Sequence, residues 1–428
     1  MRRITSRVIL LFGATGDLAR EKLYPALNAL AEHESFSVIG LGRRYTDHEE
    51  FVAHEGLPLE SFTYVRFDAD EHVAEDLIRA IERCVEGSYL SLTSYLSIPP
   101  ATMSDVLAIL NEVHASLAKR YDLEKAAVIE KPFGHDSKSA EELETQLLAD
   151  YTDREIFRVD HYLGKTFVLN LLSLRFQNDL IARVWNRDSI ESIQIIIDEE
   201  RGVDGREGYY ASTGVLKDMV QNHILQIASL LTMHEPVSFL ADDIARAKHD
   251  ALRRMRISRA VLGRYSGAEG SATAIAARID LEGPLAGVPL YVRTGKRFGQ
   301  RHATIVVRFK RACTVCDSHP AHNELIITIQ PRMRIEFVFN VQHDDTLSVT
   351  PKRLEYQHDS ATPFRSDYER IFMRILARER MIFPTYPEIT EQWRIVDIEE
   401  GDVFSYEPGA VPEPIRSFPR SDGHEWSL

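Results

Sequence analysis

The stretch VILLFGATGDLA, residues 8–19, joins the first apolar run of the chain to its first two glycines. Residues 8–12 predict a fully buried strand, and Gly13 and Gly16 predict the tight turn that leads into a helix. A strand, a glycine turn and a helix in this order open a dinucleotide-binding fold. The usual GxGxxG pattern would place a glycine where this chain has Leu11, so an ordinary strand-to-helix turn of any α/β domain stays open.

The second predicted strand, FSVIGLG at residues 36–42, ends in Arg43 and Arg44. A fold specific for NAD carries an acidic residue at this strand end, where it binds the ribose hydroxyls. Arginine suits a 2′-phosphate instead, so the sequence favours NADP. The alternative is a loop with two solvated arginines.

The alternation of strands and helices continues through the first third of the chain, which indicates a parallel sheet flanked by helices. Further strands are predicted at 62–67, 94–98 and 126–131, with helices at about 71–84 and 104–119 between them. Ligands of such sheets bind beyond the carboxyl ends of the strands. Pro99 and Lys131 follow two strands there, and Lys131 is a candidate substrate contact unless it is only an exposed lysine before a turn.

The stretch RVDHYLGK, residues 158–165, places an acid, an imidazole, a phenol and an amine within six positions. If a helix begins at Asp160, His161 and Lys165 lie on the same side of it and form an anion site at its amino end. Tyr162 lies between them. The alternative is that Asp160 is an N-cap and the other side chains decorate a surface turn.

After residue 160 the pattern changes to strands with few helices between them. Apolar segments at 190–198, 271–283, 303–310, 324–331 and 334–341 predict a large, mainly antiparallel sheet in an α+β domain. We therefore expect an NADP-binding Rossmann-like domain at 1–157 and a second, α+β domain at 158–428. Domain junctions are favoured places for active sites.

A predicted helix at 213–233 carries an apolar stripe that His223 interrupts. A lone histidine on an apolar face is usually a satisfied core residue. Asp218 and Asn222, four residues apart, border His223 and favour an open polar pocket instead.

Composition limits the classes of function. The chain has 428 residues, 44% hydrophobic and 27% charged residues, and a formal charge of −14, which argues against nucleic-acid binding. No apolar run approaches the roughly 18–20 residues of a membrane-spanning helix. Three cysteines suggest no disulfide framework and a reducing, cytoplasmic setting. The string Cys313-x-x-Cys316-x-x-His319-x-x-His322 is spaced too tightly for a usual zinc site, and we expect no metal.

Taken together, the motifs resemble the glucose-6-phosphate dehydrogenase family over nearly the whole chain. The matching strings, in order, are GATGDLAREKLYPAL (13–27), YLSIPP (95–100), IEKPFG (129–134), RVDHYLGK (158–165), DMVQNH (218–223), RTGK (293–296) and NELIITIQP (323–331). The resemblance implies NADP-dependent oxidation of glucose 6-phosphate at the anomeric carbon to 6-phosphogluconolactone. It also implies that residues 158–428 form the substrate-binding and dimerisation domain, with a homodimer, or a dimer of dimers, built through the large sheet.

The resemblance also assigns roles to residues. His223 matches the general base, and Asp160 matches the carboxylate that orients it. The residues that match sugar-phosphate binders are His161, Tyr162, Lys165, Lys131, Glu199, Asp218, Lys296 and Arg301. The residues that match cofactor binders are Gly13, Thr15, Gly16, Asp17, Leu18, Arg43, Pro99 and Lys131. Arg43 corresponds to the arginine that faces the 2′-phosphate.

The chain departs from the family in a few places. Ala211 stands where the family usually has an acid, and His302 stands where some members have a lysine. The chain is shorter than most members, and we expect the second, structural NADP site of animal members to be absent. Another hexose or amino-sugar 6-phosphate as substrate, NAD as a weaker cofactor, and a non-catalytic sugar-phosphate sensor are the alternatives.

Overall fold

The computed structural model of the chain describes residues 5–68, 73–203, 207–311, 321–342, 349–357, 365–399 and 401–427. It divides into two compact units. The first contains Met1–Gly164 and Arg365–Tyr386, and the second contains Lys165–Phe364 and Pro387–Leu428. This division falls a few residues after the expected boundary at 157, and it adds a late segment to the first unit. The functional division at 157 and 158 stays a prediction.

The first unit contains a six-stranded sheet. Its strands are β1 Thr5–Phe12, β2 Ser37–Gly42, β3 Phe62–Arg66, β4 Tyr89–Leu96, β5 Asp122–Ile129 and β6 Ile156–Arg158. Their order in the sheet is β3-β2-β1-β4-β5-β6, and every neighbouring pair is parallel. This is the strand order of the Rossmann fold, and it confirms the parallel, Rossmann-like sheet predicted for the first third of the chain.

Apolar side chains explain why this sheet forms. Val8 to Phe12 are at most 1% exposed, as expected for a central strand covered on both faces. The helices that connect the strands are α1 Tyr24–Ala31, α2 His48–Glu55, α3 Ala74–Glu82, α4 Met103–Leu117 and α5 Ser137–Leu148. A short π-helical turn, Ala19–Leu23, precedes α1. The Asp47 side chain accepts a hydrogen bond from the Glu50 N–H and caps α2.

The second unit contains a nine-stranded sheet. Its strands are β7 Ile190–Asp198, β8 Met255–Tyr265, β9 Ala274–Leu281, β10 Leu290–Gly295, β11 His302–Phe309, β12 Glu324–Gln330, β13 Arg334–Gln342, β14 Val349–Gln357 and β15 Val403–Tyr406. The order is β14-β13-β12-β11-β7-β10-β9-β8-β15. The β7–β10 and β8–β15 pairs are parallel and the other neighbouring pairs are antiparallel, which confirms a large, mainly antiparallel sheet.

The helices of the second half are grouped between β6 and β8 and after β14. They are α6 Thr166–Phe176, α7 Asp179–Val184, α8 Glu207–Val215, α9 Leu225–Thr232, α10 Ala241–Arg253, α11 Asp367–Leu376, α12 Tyr386–Val396 and α13 Glu413–Arg416. Of these, α11 belongs to the first unit. In α9, Leu225 to Leu231 are at most 2% exposed, so this helix is central to the core of the second unit.

Two expectations about helices were wrong in detail. No helix begins at Asp160, because the chain makes a turn there and α6 begins only at Thr166, with Lys165 as its N-cap residue. The continuous helix expected at 213–233 is interrupted at Gly214, whose φ is +60°, and it widens into a π-helix at Leu216–Ile224 before α9.

Within the described residues, no helix is both long and apolar enough to cross a membrane. Cys313, Cys316 and His319, of the tightly spaced string, lie outside the described residues. His322 is described, and its Nδ1 lies 2.6 Å from the Glu191 carboxylate and 3.0 Å from the Phe309 carbonyl.

Candidate active site

The glycine turn after β1 is held between β2 and β4, the two strands that flank β1 in the sheet. The N–H groups of Gly13 and Ala14 both donate to the Leu41 carbonyl of β2, over 3.0 and 3.1 Å. Gly13 has a φ of +82°, and a Cβ atom there would lie 2.2 Å from the Ser97 carbonyl oxygen just after β4. Only glycine combines this conformation with so close a backbone approach. Leu11 lies inside β1, before the turn begins. The turn therefore forms with Gly13 and Gly16 and needs no glycine at position 11.

The predicted cofactor residues gather at the carboxyl ends of β1, β2 and β4. Thr15 lies beside Gly42 at the end of β2, while Gly16 and Asp17 are exposed just before Leu18, the N-cap of the π-helical turn. Pro99 is exposed after β4. This edge therefore offers a glycine turn without side chains and an open helix amino end, which fits the pyrophosphate of a dinucleotide.

The loop after β2 contains two arginines in different settings. Arg44 lies 3.6 Å from the Glu55 carboxylate, whereas Arg43 is exposed and, in the part of the chain that the structure describes, has no carboxylate within ion-pair distance. Glu55 also accepts hydrogen bonds from Arg20, over 2.7 and 2.6 Å, and from the Tyr45 hydroxyl, over 2.6 Å. The Arg20 hydrogen bonds hold the pKa of Glu55 at about 2. Arg43 is thus the cation of this loop that remains available to a phosphate.

The RVDHYLGK stretch is fixed at its start by a buried charge pair. Arg158 at the end of β6 is 2% exposed and contacts both Glu144 oxygens over 2.7 and 2.6 Å. Its guanidinium also lies 5.2 Å from the centre of the Phe133 ring. Asp160 is 4% exposed and accepts a hydrogen bond from the Tyr162 N–H over 2.9 Å. Asp160 therefore caps its own turn and not a helix.

The late segment of the first unit braces this turn. The Tyr368 ring of α11 stacks on His161 with ring centres 6.4 Å apart and an angle of 10° between the planes. The Arg370 guanidinium donates to the Gly164 carbonyl over 2.7 Å. A Cβ atom at Gly164 would lie 2.9 Å from the Asp367 carbonyl oxygen, so glycine is needed for this packing. Sequence reasoning did not identify α11 as a neighbour of the turn.

Lys131 follows β5, at the same edge of the sheet as the glycine turn. The peptide bond between Lys131 and Pro132 is cis. The neighbouring Glu130 contacts the Tyr95 hydroxyl, and burial raises the pKa of this carboxyl above its ordinary value. Gly134, with a φ of +74°, packs against the backbone of Ala140 in α5.

In the second unit, three predicted substrate residues form one ionic cluster. The Lys296 ammonium lies 2.5 Å from Glu199 and 3.0 Å from Asp218, and the lysine side chain is 6% exposed. Burial alone would lower the pKa of Lys296, but Asp218 and Glu199 outweigh it and hold this pKa above its ordinary value. The Tyr210 ring lies below the ammonium, 5.5 Å from ring centre to Nζ. One cation and two carboxylates are suited to the hydroxyl groups of a sugar.

The π-helix Leu216–Ile224 explains how Asp218 and His223 are arranged. A separation of five residues would place the two side chains on different sides of an α-helix, which has 3.6 residues per turn. In a π-helix the hydrogen bonds join residues five apart, so one turn closes over about five residues. Asp218 and His223 therefore lie one turn apart on the same side. His223 is 1% exposed. The Asn222 amide donates to the Lys217 carbonyl over 3.0 Å, and its side-chain oxygen accepts from the His223 N–H over 2.7 Å.

Arg301 precedes β11, and its Nε donates to the Gln330 side-chain oxygen over 3.2 Å. Gln330, which sequence reasoning did not single out, ends β12 just before a cis peptide bond to Pro331. Burial lowers the pKa of His302 below its ordinary value, which disfavours the charged form that would correspond to a lysine. Its Nε2 lies 2.6 Å from the Thr304 hydroxyl.

The predicted residues are thus divided between the two units. The first unit contains the cofactor set and Lys131, Asp160, His161 and Tyr162. The second unit contains Lys165, Glu199, Asp218, His223, Lys296 and Arg301. Within the second unit, Lys296 is in direct contact with Glu199 and Asp218, and the resemblance assigns all three residues to the substrate.

Two protein-family models match this chain. The model for the NAD binding domain of glucose-6-phosphate dehydrogenase matches residues 10–170, and the model for the C-terminal domain of the same enzyme matches residues 172–427. The amino-terminal match assigns the first part of the chain to nicotinamide dinucleotide-binding domains.

Individual proteins agree with the family models. The glucose-6-phosphate 1-dehydrogenase 2 of Mycobacterium tuberculosis is 32% identical, with 98% of this chain and 94% of that protein covered. The glucose-6-phosphate 1-dehydrogenase of Schizosaccharomyces pombe is 33% identical, with 97% and 91% covered. A solved glucose-6-phosphate dehydrogenase in complex with its substrate glucose-6-phosphate has a TM-score of 0.87 at 26% identity, and the match covers 100% of both chains. This chain belongs to the glucose-6-phosphate dehydrogenase family.

Proposed function

We propose that this protein oxidises D-glucose 6-phosphate at its anomeric carbon and releases 6-phosphogluconolactone, as in the oxidative pentose phosphate pathway. The observation that carries the proposal is the cluster of Lys296 with Glu199 and Asp218 beside the helix of His223. These are the residue types that the reaction needs on the sugar side. When bound, the nicotinamide cofactor accepts the hydride.

His223 takes the proton of the anomeric hydroxyl in this proposal. A neutral histidine is suited to this role near pH 7. Asp160 orients the imidazole and stabilises its protonated form, as carboxylates do in other His–Asp pairs. Burial of Asp160 at 4% and of His223 at 1% supports both roles, because the two groups are shielded from bulk water.

The remaining residues bind and orient the sugar phosphate. His161, Tyr162 and Lys165 bind the 6-phosphate, and Glu199, Asp218, Lys296 and Arg301 bind the rest of the substrate. A dianionic phosphate remote from the reacting carbon needs several cations, and its binding energy orients the sugar for reaction. Lys131 contacts the substrate next to the nicotinamide.

Activity with a panel of substrates tests this proposal. We expect NADPH formation on mixing the protein with NADP and glucose 6-phosphate, and a loss of at least about 1,000-fold in kcat for His223→Asn. The same chemistry on another hexose or amino-sugar 6-phosphate is the second candidate, and it is preferred if such a substrate has the higher kcat/KM. If the wild-type protein shows no rate above that of His223→Asn with any of these substrates, the sensor role is the explanation that remains.

We propose NADP as the preferred cofactor, with NAD weaker. Support comes from Arg43, which is exposed and available, while Arg44 lies beside Glu55. A charged hydrogen bond to the 2′-phosphate contributes about 1.5–3 kcal/mol, so Arg43→Ala should lower kcat/KM for NADP about 10- to 100-fold and change NAD little. Arg44→Ala is the matched control, with a smaller effect. Equal losses for both cofactors would contradict this role of Arg43.

We further propose a cytoplasmic homodimer, formed through the exposed face of β13 and β14. In their antiparallel register, Phe337 faces Leu354 and Ile335 faces Tyr356, so these four apolar side chains lie on one face of the sheet. Leu354 is 63% and Tyr356 is 56% exposed. A second copy of the chain would cover this row.

The mass of the wild-type protein in solution, measured by light scattering, tests the dimer. We expect the mass of two chains for the wild type and of one chain for Leu354→Lys/Tyr356→Lys. A wild-type mass of one chain, or an unchanged mass of the double variant, would contradict the proposed interface.

A further inference from the structure

The turn that carries Lys296 has an unfavourable backbone. Arg297, the next residue, has a φ of +59°, a left-handed conformation that side chains other than glycine, asparagine and aspartate rarely adopt. Such residues persist only where the surrounding structure holds them. The contacts around Lys296–Gly299 therefore decide whether Lys296 keeps its place beside Glu199 and Asp218.

Both backbone groups of Lys296 are held by hydrogen bonds. Its N–H donates to the Thr273 carbonyl over 3.0 Å, which extends the ladder between β9 and β10 by one step. Its carbonyl accepts from the Tyr406 hydroxyl over 2.7 Å. Tyr406 is the last residue of β15 and is 5% exposed.

The Tyr406 hydroxyl is itself oriented by its neighbours. Burial raises the pKa of Tyr406 above its ordinary value, so the hydroxyl keeps its proton. The Lys296 carbonyl can only accept, so this proton belongs to that bond, and the Thr273 hydroxyl, 3.1 Å away, donates to Tyr406. Thr273 Oγ1 in turn accepts from the Tyr265 N–H over 3.1 Å. The three hydrogen bonds therefore all donate in the same direction, from the Tyr265 N–H through Thr273 and Tyr406 to the Lys296 carbonyl.

The turn after β15 holds the other side of the strained residue. The Gly409 N–H donates to the Arg297 carbonyl over 2.8 Å. Gly299, with a φ of +79°, approaches so closely that a Cβ atom there would lie 2.2 Å from the Gly409 carbonyl oxygen. The Phe298 ring packs 5.6 Å from the ring of Tyr406, between ring centres. The segment Tyr406–Gly409 thus contacts every residue of the turn that follows Lys296.

We infer that Tyr406 is a positioning residue for Lys296: its hydroxyl and the adjoining turn hold the strained Lys296–Gly299 segment so that the ammonium faces Glu199 and Asp218. The inference rests on the proposed function, because it takes Lys296 to bind the sugar phosphate. It assigns a role in substrate binding to the short C-terminal strand β15.

Steady-state kinetics of Tyr406→Phe test this role. Loss of the hydroxyl leaves a buried carbonyl without its donor, and we expect KM for the sugar phosphate to rise about 5- to 20-fold, with kcat and KM for the cofactor changed less than about twofold. Tyr291→Phe is the matched control. It removes another buried tyrosine hydroxyl of the same sheet, bonded to Asp422 over 2.8 Å, and should lower the melting temperature similarly without raising KM.

A second substitution separates positioning from general destabilisation. Glycine adopts a φ of +59° without strain, so Arg297→Gly should relieve the need for the restraint. We expect Tyr406→Phe/Arg297→Gly to recover most of the lost KM even though its melting temperature stays low. No rise of KM in Tyr406→Phe, an equal rise in Tyr291→Phe, or no recovery in the double variant would each overturn the inference.

Lys296→Met distinguishes failure of this inference from failure of the proposed function. A raised KM for Lys296→Met with an unchanged KM for Tyr406→Phe would overturn the positioning role alone. An unchanged KM for Lys296→Met would overturn the assigned role of Lys296, and with it the premise of the inference.

Discussion

Replacing Glu55 by glutamine should destabilise the first unit in a pH-dependent manner. The Glu55 side chain is 12% exposed and accepts three hydrogen bonds, two from Arg20 and one from Tyr45. Glutamine keeps the shape, but it loses the charge and turns an N–H₂ group toward a cationic donor. The ionised form of Glu55 is therefore the form that stabilises the fold.

The pKa of Glu55 gives the size and the sign of the effect. A shift from 4.5 to about 2 corresponds to about 3 kcal/mol of stabilisation of the charged form. Because the Arg20 side chain is 35% exposed, solvent screening reduces this to about 1–2 kcal/mol. The folded pKa lies below the unfolded one, so the stabilisation is fully present above pH 4.5 and is lost as the pH falls from 4.5 to about 2.

Urea denaturation followed by circular dichroism at several pH values measures this effect. We expect the free energy of unfolding of Glu55→Gln to be about 1–2 kcal/mol lower than that of the wild type at pH 7, with the difference shrinking below pH 4.5. Glu49→Gln, on the exposed side of the same helix, is the control and should have no such effect. A difference that is constant from pH 7 to pH 3 would refute the assignment to the charge of Glu55.

Two further predictions concern backbone strain and buried charge. Gly13→Ala should destabilise the protein by at least about 2 kcal/mol and abolish cofactor binding, since its Cβ would lie 2.2 Å from the Ser97 carbonyl oxygen. Gly16→Ala, whose Cβ would lie 3.2 Å from the Gly13 carbonyl oxygen, should destabilise the protein less, and equal melting temperatures would contradict this. Arg293→Met should lower the free energy of unfolding, measured by heat or urea, by about 3–5 kcal/mol, because the Asp198 carboxylate, 2.7 Å from Arg293 in the wild type, is left buried and charged. The double variant Arg293→Met/Asp198→Leu should recover most of that loss.

The sequence predicted both sheets because their strands are apolar runs with clear periods. It predicted β4 only from residue 94, although the strand begins at Tyr89, because serine and threonine interrupt the apolar run there. It did not predict that Arg365–Tyr386 belongs to the first unit. The pattern of an amphipathic helix shows which of its faces is buried, but it does not show which sheet covers that face. The sequence of α11 therefore could not assign this helix to the first unit.

The candidate site was less predictable than the fold. The contact of Lys296 with Glu199 and Asp218 joins residues that are distant in sequence, and only the family resemblance grouped them. Spacing suggested Asp218 with Asn222, because four residues make one α-helical turn. The Tyr406 contact was not foreseen, since a tyrosine at the end of a short strand carries no signal of its target.

The π-helix Leu216–Ile224 makes the length of this segment as important as its composition. An in-frame loss of one codon between Asp218 and His223 would let the helix return to α-helical hydrogen bonding without disturbing its buried face elsewhere. Asp218 and the proposed base would then lie four residues apart in an α-helix, which again places them on the same side. The deletion would therefore keep the proposed base and the proposed sugar-binding carboxylate facing the same ligand. At the present length, a return to α-helical hydrogen bonding would separate them, because five residues span about 500° of an α-helix.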